Sequence, residues 1–193
     1  VENLKVPVVA AINCPLVGLS MELALACNFR IAVDTPELRF EFSEVRQGII
    51  PGYGGIIRLT RTIGIEKSLP LLLNGNQFNV NQALDFGFLN KLESSNDVMI
   101  DKSIQWIKAN PKILQPWDQQ NFIFPYGSAH EGQNPALISS YPGKIRKKTR
   151  GKFPAPETIL SIIVEGSLVN FETACRIESR FYTELLLKKA TKN

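Results

Sequence analysis

The sequence predicts an α/β protein. Three observations carry this: short β-branched runs are closed by turn residues, segments of helical composition alternate with them, and the C-terminal end reads as helix. A length of 193 residues with 44% hydrophobic and 21% charged residues suits one packed core and excludes disorder across the whole chain. The 22 Lys and Arg against 18 Asp and Glu leave a mildly basic formal charge of +4. The longest apolar-rich stretch, residues 6–33, is broken by Asn13, Pro15, Glu22, Asn28 and Arg30, so no run approaches the ~18 residues of a membrane span.

Each element has a local reason. Residues 6–12 (VPVVAAI) form an apolar run closed by Asn13, Cys14 and Pro15, which predicts a buried strand and a turn. Residues 20–27 (SMELALAC) carry little β-branching and read as helix. Residues 28–33 and 38–42 read as strands on either side of an Asp34-Thr35-Pro36 turn. Ser43 can cap a short helix from Glu44, and residues 48–55 (GIIPGYGG) form a loop leading into a helix over 56–63 that Gly64 ends. A second helix runs to Asn74 with Gly75 as its stop, and Pro70 must lie near its start or bend it. Asn79 caps a helix over 81–86, Gly87 ends it, and residues 88–92 read as a last strand. Residues 97–109 are helical up to Asn110-Pro111.

Composition changes at Pro111. The stretch to Pro142 holds five prolines among many Gln and Asn residues and reads as a long irregular connection with one short helix near 136–140. Beyond it, residues 157–165 and 172–189 read as helices. In the second, Phe171, Cys175, Glu178, Phe181 or Tyr182, and Leu185 recur three or four apart, an apolar stripe with one carboxylate that predicts packing on the body or on a partner subunit. The expected organisation is a core over 1–110, an irregular connection with a basic run over 111–152, and C-terminal helices over 153–193.

Cys14, Cys27 and Cys175 are an odd number without Cys-x-x-Cys spacing, which argues against a disulfide framework and a zinc site and for a reducing compartment. The expected setting is accordingly the cytoplasm, or a mitochondrion or peroxisome if the chain is eukaryotic. The first residues lack the pattern of a secretory signal, and without an initiator Met the chain is expected to begin inside a longer protein. His130 is the only histidine, so no metal site and no His-dependent triad is expected.

Two carboxylates stand out. Gly18-Leu19-Ser20 leads into a helix whose first turn holds Glu22, and unpaired N–H groups at a helix start suit a developing oxyanion. From position alone, Glu22 reads first as a common dipole-stabilising residue. Glu44 follows a strand and precedes the Gly48 loop, where it can share a pocket with Glu22 and divide acid and base work, or simply begin a helix; Glu37 and Glu41 are acidic neighbours. Gly52-Tyr53-Gly54-Gly55 fails the dinucleotide spacing because position 57 is Ile57, so its glycines read as a tight turn beneath a ligand or against a helix. Residues 144–152 (KIRKKTRGK) hold six cations in nine, a solvated face or a site for phosphates of an anionic ligand or nucleic acid; no interleaved aromatics support nucleic acid.

As one ordered set, residues 6–64 resemble the crotonase, or enoyl-CoA hydratase/isomerase, superfamily: a Pro-led strand, an Asn-led turn, a Gly-rich oxyanion turn leading to Glu, an Ala-Cys element, a Pro-Glu, and the Gly48-Ile49-Ile50-Pro51-Gly52-Tyr53-Gly54-Gly55 loop. Ala83 followed by Gly87-Phe88-Leu89 matches a later segment of that family. Phe153-Pro154-Ala155-Pro156 and Glu178-Ser179-Arg180-Phe181 are similar to the hydratase half of multifunctional fatty-acid oxidation proteins. The sequence departs from the family at Cys14, at Leu19-Ser20, at Asn28 and at Ser43, where Gly, Gly-Gly, Asp and Pro are usual.

The resemblance implies a spiral of strand-strand-helix units with C-terminal packing helices, and a chain that begins after the family's first oxyanion donor. It implies hydration of trans-2-enoyl-CoA in fatty-acid β-oxidation, with Glu22 acting on the water, Glu44 exchanging a proton at C2, and the Leu19 N–H facing the thioester oxygen. Gly18, Pro51, Gly52, Tyr53 and Gly54 would line the substrate. No cofactor is implied, since the acyl-CoA thioester is itself the substrate. An oligomer or a multifunctional complex is expected, with no nucleic acid and no membrane span. Two rivals stand beside this reading: a Δ3-Δ2-enoyl-CoA isomerase, which needs one carboxylate, and a non-catalytic assembly module of the same fold.

Overall fold

The computed structural model describes residues 1–4 and 6–187. Its strands are β1 (Val9–Ile12), β2 (Leu16–Val17), β3 (Phe29–Val33), β4 (Arg39–Glu41), β5 (Phe78–Asn79) and β6 (Lys91–Glu93). Its helices are α1 (Leu19–Ala26), α2 (Gly55–Ile63), α3 (Ile65–Asn74), α4 (Val80–Phe86), α5 (Asn96–Ala109), α6 (Asn134–Ser139), α7 (Tyr141–Thr149), α8 (Ala155–Ser167) and α9 (Phe171–Leu187).

The strands divide into two small sheets. β1, β3 and β6 pair in parallel in that spatial order, with Val9 opposite Phe29 and Ile31 opposite Lys91. β2, β4 and β5 form the other; β2 and β4 are parallel, β4 and β5 antiparallel. Parallel partners need a crossover, and α1 supplies the one between β1–β2 and β3. Ile12, Leu25, Phe40, Phe42, Phe78 and Phe88 are buried between these layers, and Phe40, Phe78 and Phe88 sit with ring centroids 5.1–5.6 Å apart. The C-terminal helices cover the other side of α2. A Cβ on Gly166 of α8 would stand 2.6 Å from Cδ1 of Ile57, so the two helices touch where α8 has no side chain.

The predicted α/β class and spiral of strand and helix units stand, with local differences. Strand β1 starts at Val9, and the two-residue strands β2 and β5 carry no periodic signal of their own. Glu44–Gln47 is a single 3₁₀ turn, and Ser43 contributes its carbonyl to Arg46 (3.0 Å) rather than a side-chain cap. Pro70 lies well inside α3 and gives up a backbone bond there; burial of Ile65, Leu69, Leu71, Leu72 and Leu73 holds the helix across it. The short helix expected near 136–140 is α6, while the basic run, read as part of the irregular connection, lies mostly on the further helix α7. Pro142 is tolerated because it sits in the first turn of α7, and Ile145 and Thr149, one turn apart, face inward while the cations face out. Helix α9 packs as its stripe predicts, burying Ala174, Glu178 and Leu185. The expected last turn of that helix, residues 188–189, lies outside the described residues.

Candidate active site

Parallel pairing of β2 with β4 sets Leu16 opposite Phe40 and Val17 opposite Glu41, so both chains leave the sheet at one end. The Gly18 N–H extends the ladder to the Glu41 carbonyl at 3.0 Å. Gly18 then turns with φ 59° and ψ −120°, a conformation open in practice only to glycine, and its carbonyl accepts from Met21 and Glu22 to start α1. Leu19 is the first residue of α1. No acceptor among the described residues takes its N–H, which points along the positive end of the helix dipole. Its side chain is 60% exposed.

Glu22 is buried at 3% exposure. Oε2 accepts the N–H groups of Tyr53 at 2.8 Å and Gly55 at 2.7 Å. Burial pushes its carboxyl above the usual range, while the loop amides and the charge of Arg58 pull it back. Gly55 is required for the contact, because a Cβ there would stand 2.7 Å from that oxygen.

Glu44 and Glu41, ambiguous in sequence, separate clearly. Glu41 is engaged: Arg46 Nη1 lies 2.7 Å from Oε1, and Gln77 Nε2 donates to Oε2 at 2.5 Å. Glu44 is half-buried with Oε2 enclosed and unpartnered. Its carboxyl is pushed up by burial first, then by the charges of Glu22 and Glu41. Glu37 is exposed and bonded to Thr35. Glu22, Glu44, Gly18 and the Leu19 N–H therefore meet at one edge, where a carboxylate with a lowered tendency to ionise, an amide-held carboxylate and a free N–H can divide proton transfer and charge stabilisation.

The Pro51–Gly54 segment serves these carboxylates. Pro51 is buried, Tyr53 is exposed, and the Tyr53 amide is spent on Glu22. The Gly54 amide goes to a residue whose role sequence reading missed. Glu178, on α9 and 1% exposed, accepts the N–H of Gly54 at 2.5 Å through Oε1 and of Ile57 at 3.1 Å through Oε2. In the sequence it stood out as a carboxylate within an apolar stripe and as part of the Glu178-Ser179-Arg180-Phe181 resemblance, and neither signal pointed to the loop.

The basic run has a separate setting. A cavity of about 530 Å³ is lined by Val45, Leu73, Ile145 and Phe153 with Lys144 and Lys148; neither Glu22 nor Glu44 lines it. Lys148 Nζ donates to Asn74 Oδ1 at 2.7 Å, and Lys144 Nζ to Ser140 Oγ at 3.2 Å.

The enoyl-CoA hydratase/isomerase family model matches residues 1–115. The chain belongs to this family. Among curated relatives, the fatty acid oxidation complex subunit alpha of Shewanella frigidimarina is 30% identical over 188 residues, covering 97% of this chain. That of Shewanella amazonensis is 32% identical over 185 residues, covering 96%. The chain spans about a quarter (26%) of the length of these relatives. Solved structures agree on the fold: carnitinyl-CoA hydratase from Mycobacterium avium superposes with a TM-score of 0.61 at 22% identity, covering 99% of this chain and 59% of that one. An enoyl-CoA hydratase/isomerase from Pseudoalteromonas atlantica gives 0.60 at 17% identity, with 99% and 60% covered.

Membership of the enoyl-CoA hydratase/isomerase family agrees with the crotonase resemblance read from residues 6–64, and the match to fatty acid oxidation complex alpha subunits extends over the C-terminal helices. None of the described helices is long and apolar enough to cross a membrane.

Proposed function

We propose that the protein hydrates trans-2-enoyl-CoA thioesters to 3-hydroxyacyl-CoA, as a step of fatty-acid β-oxidation. Glu22 orients the attacking water and takes its proton as the oxygen bonds to C3. Glu44 gives a proton to C2 and hydrogen-bonds the same water. Negative charge that gathers on the thioester oxygen during attack meets the Leu19 N–H and the dipole of α1. The balance is one water added across one double bond, with no electron gained or lost, so acyl-CoA is the substrate and no cofactor is called for.

The observation that carries this reading is the unequal environment of two carboxylates at one sheet edge. Glu22 is held by two amides, and Glu44 has an enclosed free oxygen with its proton affinity raised. Burial raises the proton affinity of both carboxyls, two loop amides oppose it at Glu22, and the pair can so divide the base and acid work. We propose further that the chain works in the cytoplasm within a larger multifunctional assembly, as the names of its Shewanella relatives suggest. Product analysis on the full-length protein tests the reaction: 3-hydroxyacyl-CoA formed from a trans-2-enoyl-CoA supports it, and conversion only of a 3-enoyl-CoA to its 2-enoyl isomer overturns it in favour of isomerisation.

A further inference from the structure

The geometry points to Glu178 as a positioning residue that sets the proton affinity of Glu22 by clamping the loop between them. The inference rests on Glu22 being the base proposed above. Along residues 53–57, the amides of Tyr53 and Gly55 go to Glu22, and those of Gly54 and Ile57 go to Glu178. The two carboxylates thus bind interleaved donors of one loop and the first turn of α2, where N–H groups have no helical acceptor. Helix α9 grips the loop at a second point: a Cβ on Gly52 would stand 2.8 Å from the ring of Tyr182. With both contacts on one helix, the loop amides cannot move away from Glu22 unless α9 yields.

The direction of the effect follows. The Tyr53 and Gly55 bonds pull the Glu22 carboxyl down, so loosening the loop lets burial push it up further. Glu178 is itself pushed up to about 8, by burial first and then by the charge of Glu22. The groups that shift Glu22 are its own burial, the loop amides and Arg58, so replacing Glu178 acts on Glu22 through the amides it holds. Among the described residues, the charged or titratable groups around the pair include Arg58 of α2, which pairs with Glu2, Glu44 beyond Glu22, Cys175 on α9, and Tyr53 and Tyr182 on the clamped loop and α9. All remain in place in the variants below.

The test is a carboxyl ¹³C NMR titration of Glu22 in the full-length protein, with its resonance assigned by loss in Glu22→Gln. It needs no substrate, so it can succeed or fail independently of the hydratase reading. Glu178→Ala should raise the proton affinity of Glu22 about tenfold, and Glu178→Gln, which keeps one acceptor for the loop, should raise it less. Amide exchange should quicken at Tyr53 and Gly55 as well as at Gly54 and Ile57. Arg176→Ala, which removes an exposed ion pair with Glu172 on the same helix, should change neither reading. If Glu178→Ala does not fold, Glu178→Gln alone decides. An unmoved Glu22 titration in either folded variant overturns the clamp. In the full-length protein, the acid limb of the kcat/KM profile should move up in step; turnover that Glu22→Gln leaves intact would sink the functional reading and not the clamp.

Discussion

Gly18 and Glu44 lie so close that a Cβ on the glycine would stand 2.7 Å from Oε1 of the carboxylate. The contact joins the turn carrying the free Leu19 N–H to the half-buried acid, and the parallel pairing of β2 with β4 creates it. Gly18→Ala should therefore displace Glu44 and strain a positive-φ turn. The expected loss is at least ~10²-fold in kcat/KM, with about 1–3 kcal/mol of stability from the backbone alone. Steady-state kinetics beside thermal melts separate the two.

Glu44→Gln should lower hydration by ~10² to 10⁴-fold, the usual cost of a lost general acid or base, with little change in Tm. Glu41→Gln should show the reverse pattern, because Glu41 holds Arg46 and Gln77 and has no free oxygen to offer. Melting curves and initial rates on the two variants distinguish them. A larger kinetic loss in the Glu41 variant would exchange the roles assigned here.

At Leu19 the donor is backbone, so the side chain should matter little. Leu19→Gly should keep or improve turnover, as the Leu side chain is largely exposed. Leu19→Pro removes the N–H at a helix position that tolerates proline and should cost ~10² to 10³-fold in kcat while α1 remains folded. Circular dichroism confirms the fold, and stopped-flow or steady-state rates give the loss.

Stability should depend on pH through Glu178. Its folded carboxyl is pushed from the ordinary 4.5 to about 8. Between those values the folded chain keeps a proton that the unfolded chain releases, so stability is greatest below the lower value and falls as pH rises through the upper one. The upward directions at Glu22 and Glu44 act with the same sign. Tm should drop from pH 5 to pH 8, by ~2–4 °C for each kcal/mol lost at this chain length. Glu178→Gln should flatten that slope, which calorimetry at several pH values measures.

How much of this could be read in the sequence depended on distance along the chain. Glu22 and Glu44 were legible because each sits next to its own local marker: Gly18 at a helix start, and the Gly48–Gly55 loop. The family resemblance singled out Glu44, whereas its local surroundings left Glu41 an equally acidic neighbour, since Arg46 and Gln77 are brought onto Glu41 only by folding. Glu178 showed as a carboxylate in an apolar stripe and in a family-like motif, but its role did not show, because its donors Gly54 and Ile57 lie 124 and 121 positions away. Strands β2 and β5 are two residues each, too short for alternation to register. Helix α7 was obscured by Pro142 and Gly143, which read as breakers although proline in a first turn is compatible with helix.

The most direct test of the central claim is steady-state hydration of crotonyl-CoA by the full-length protein and by its Glu22→Gln variant, with thioester binding measured in parallel. Glutamine keeps the shape and can still accept an amide N–H, but it cannot take the proton of water. The wild-type protein should form 3-hydroxybutyryl-CoA, and the variant should bind the thioester with unchanged affinity while turning over at least ~10²-fold more slowly. Equal turnover in the two proteins would contradict the account.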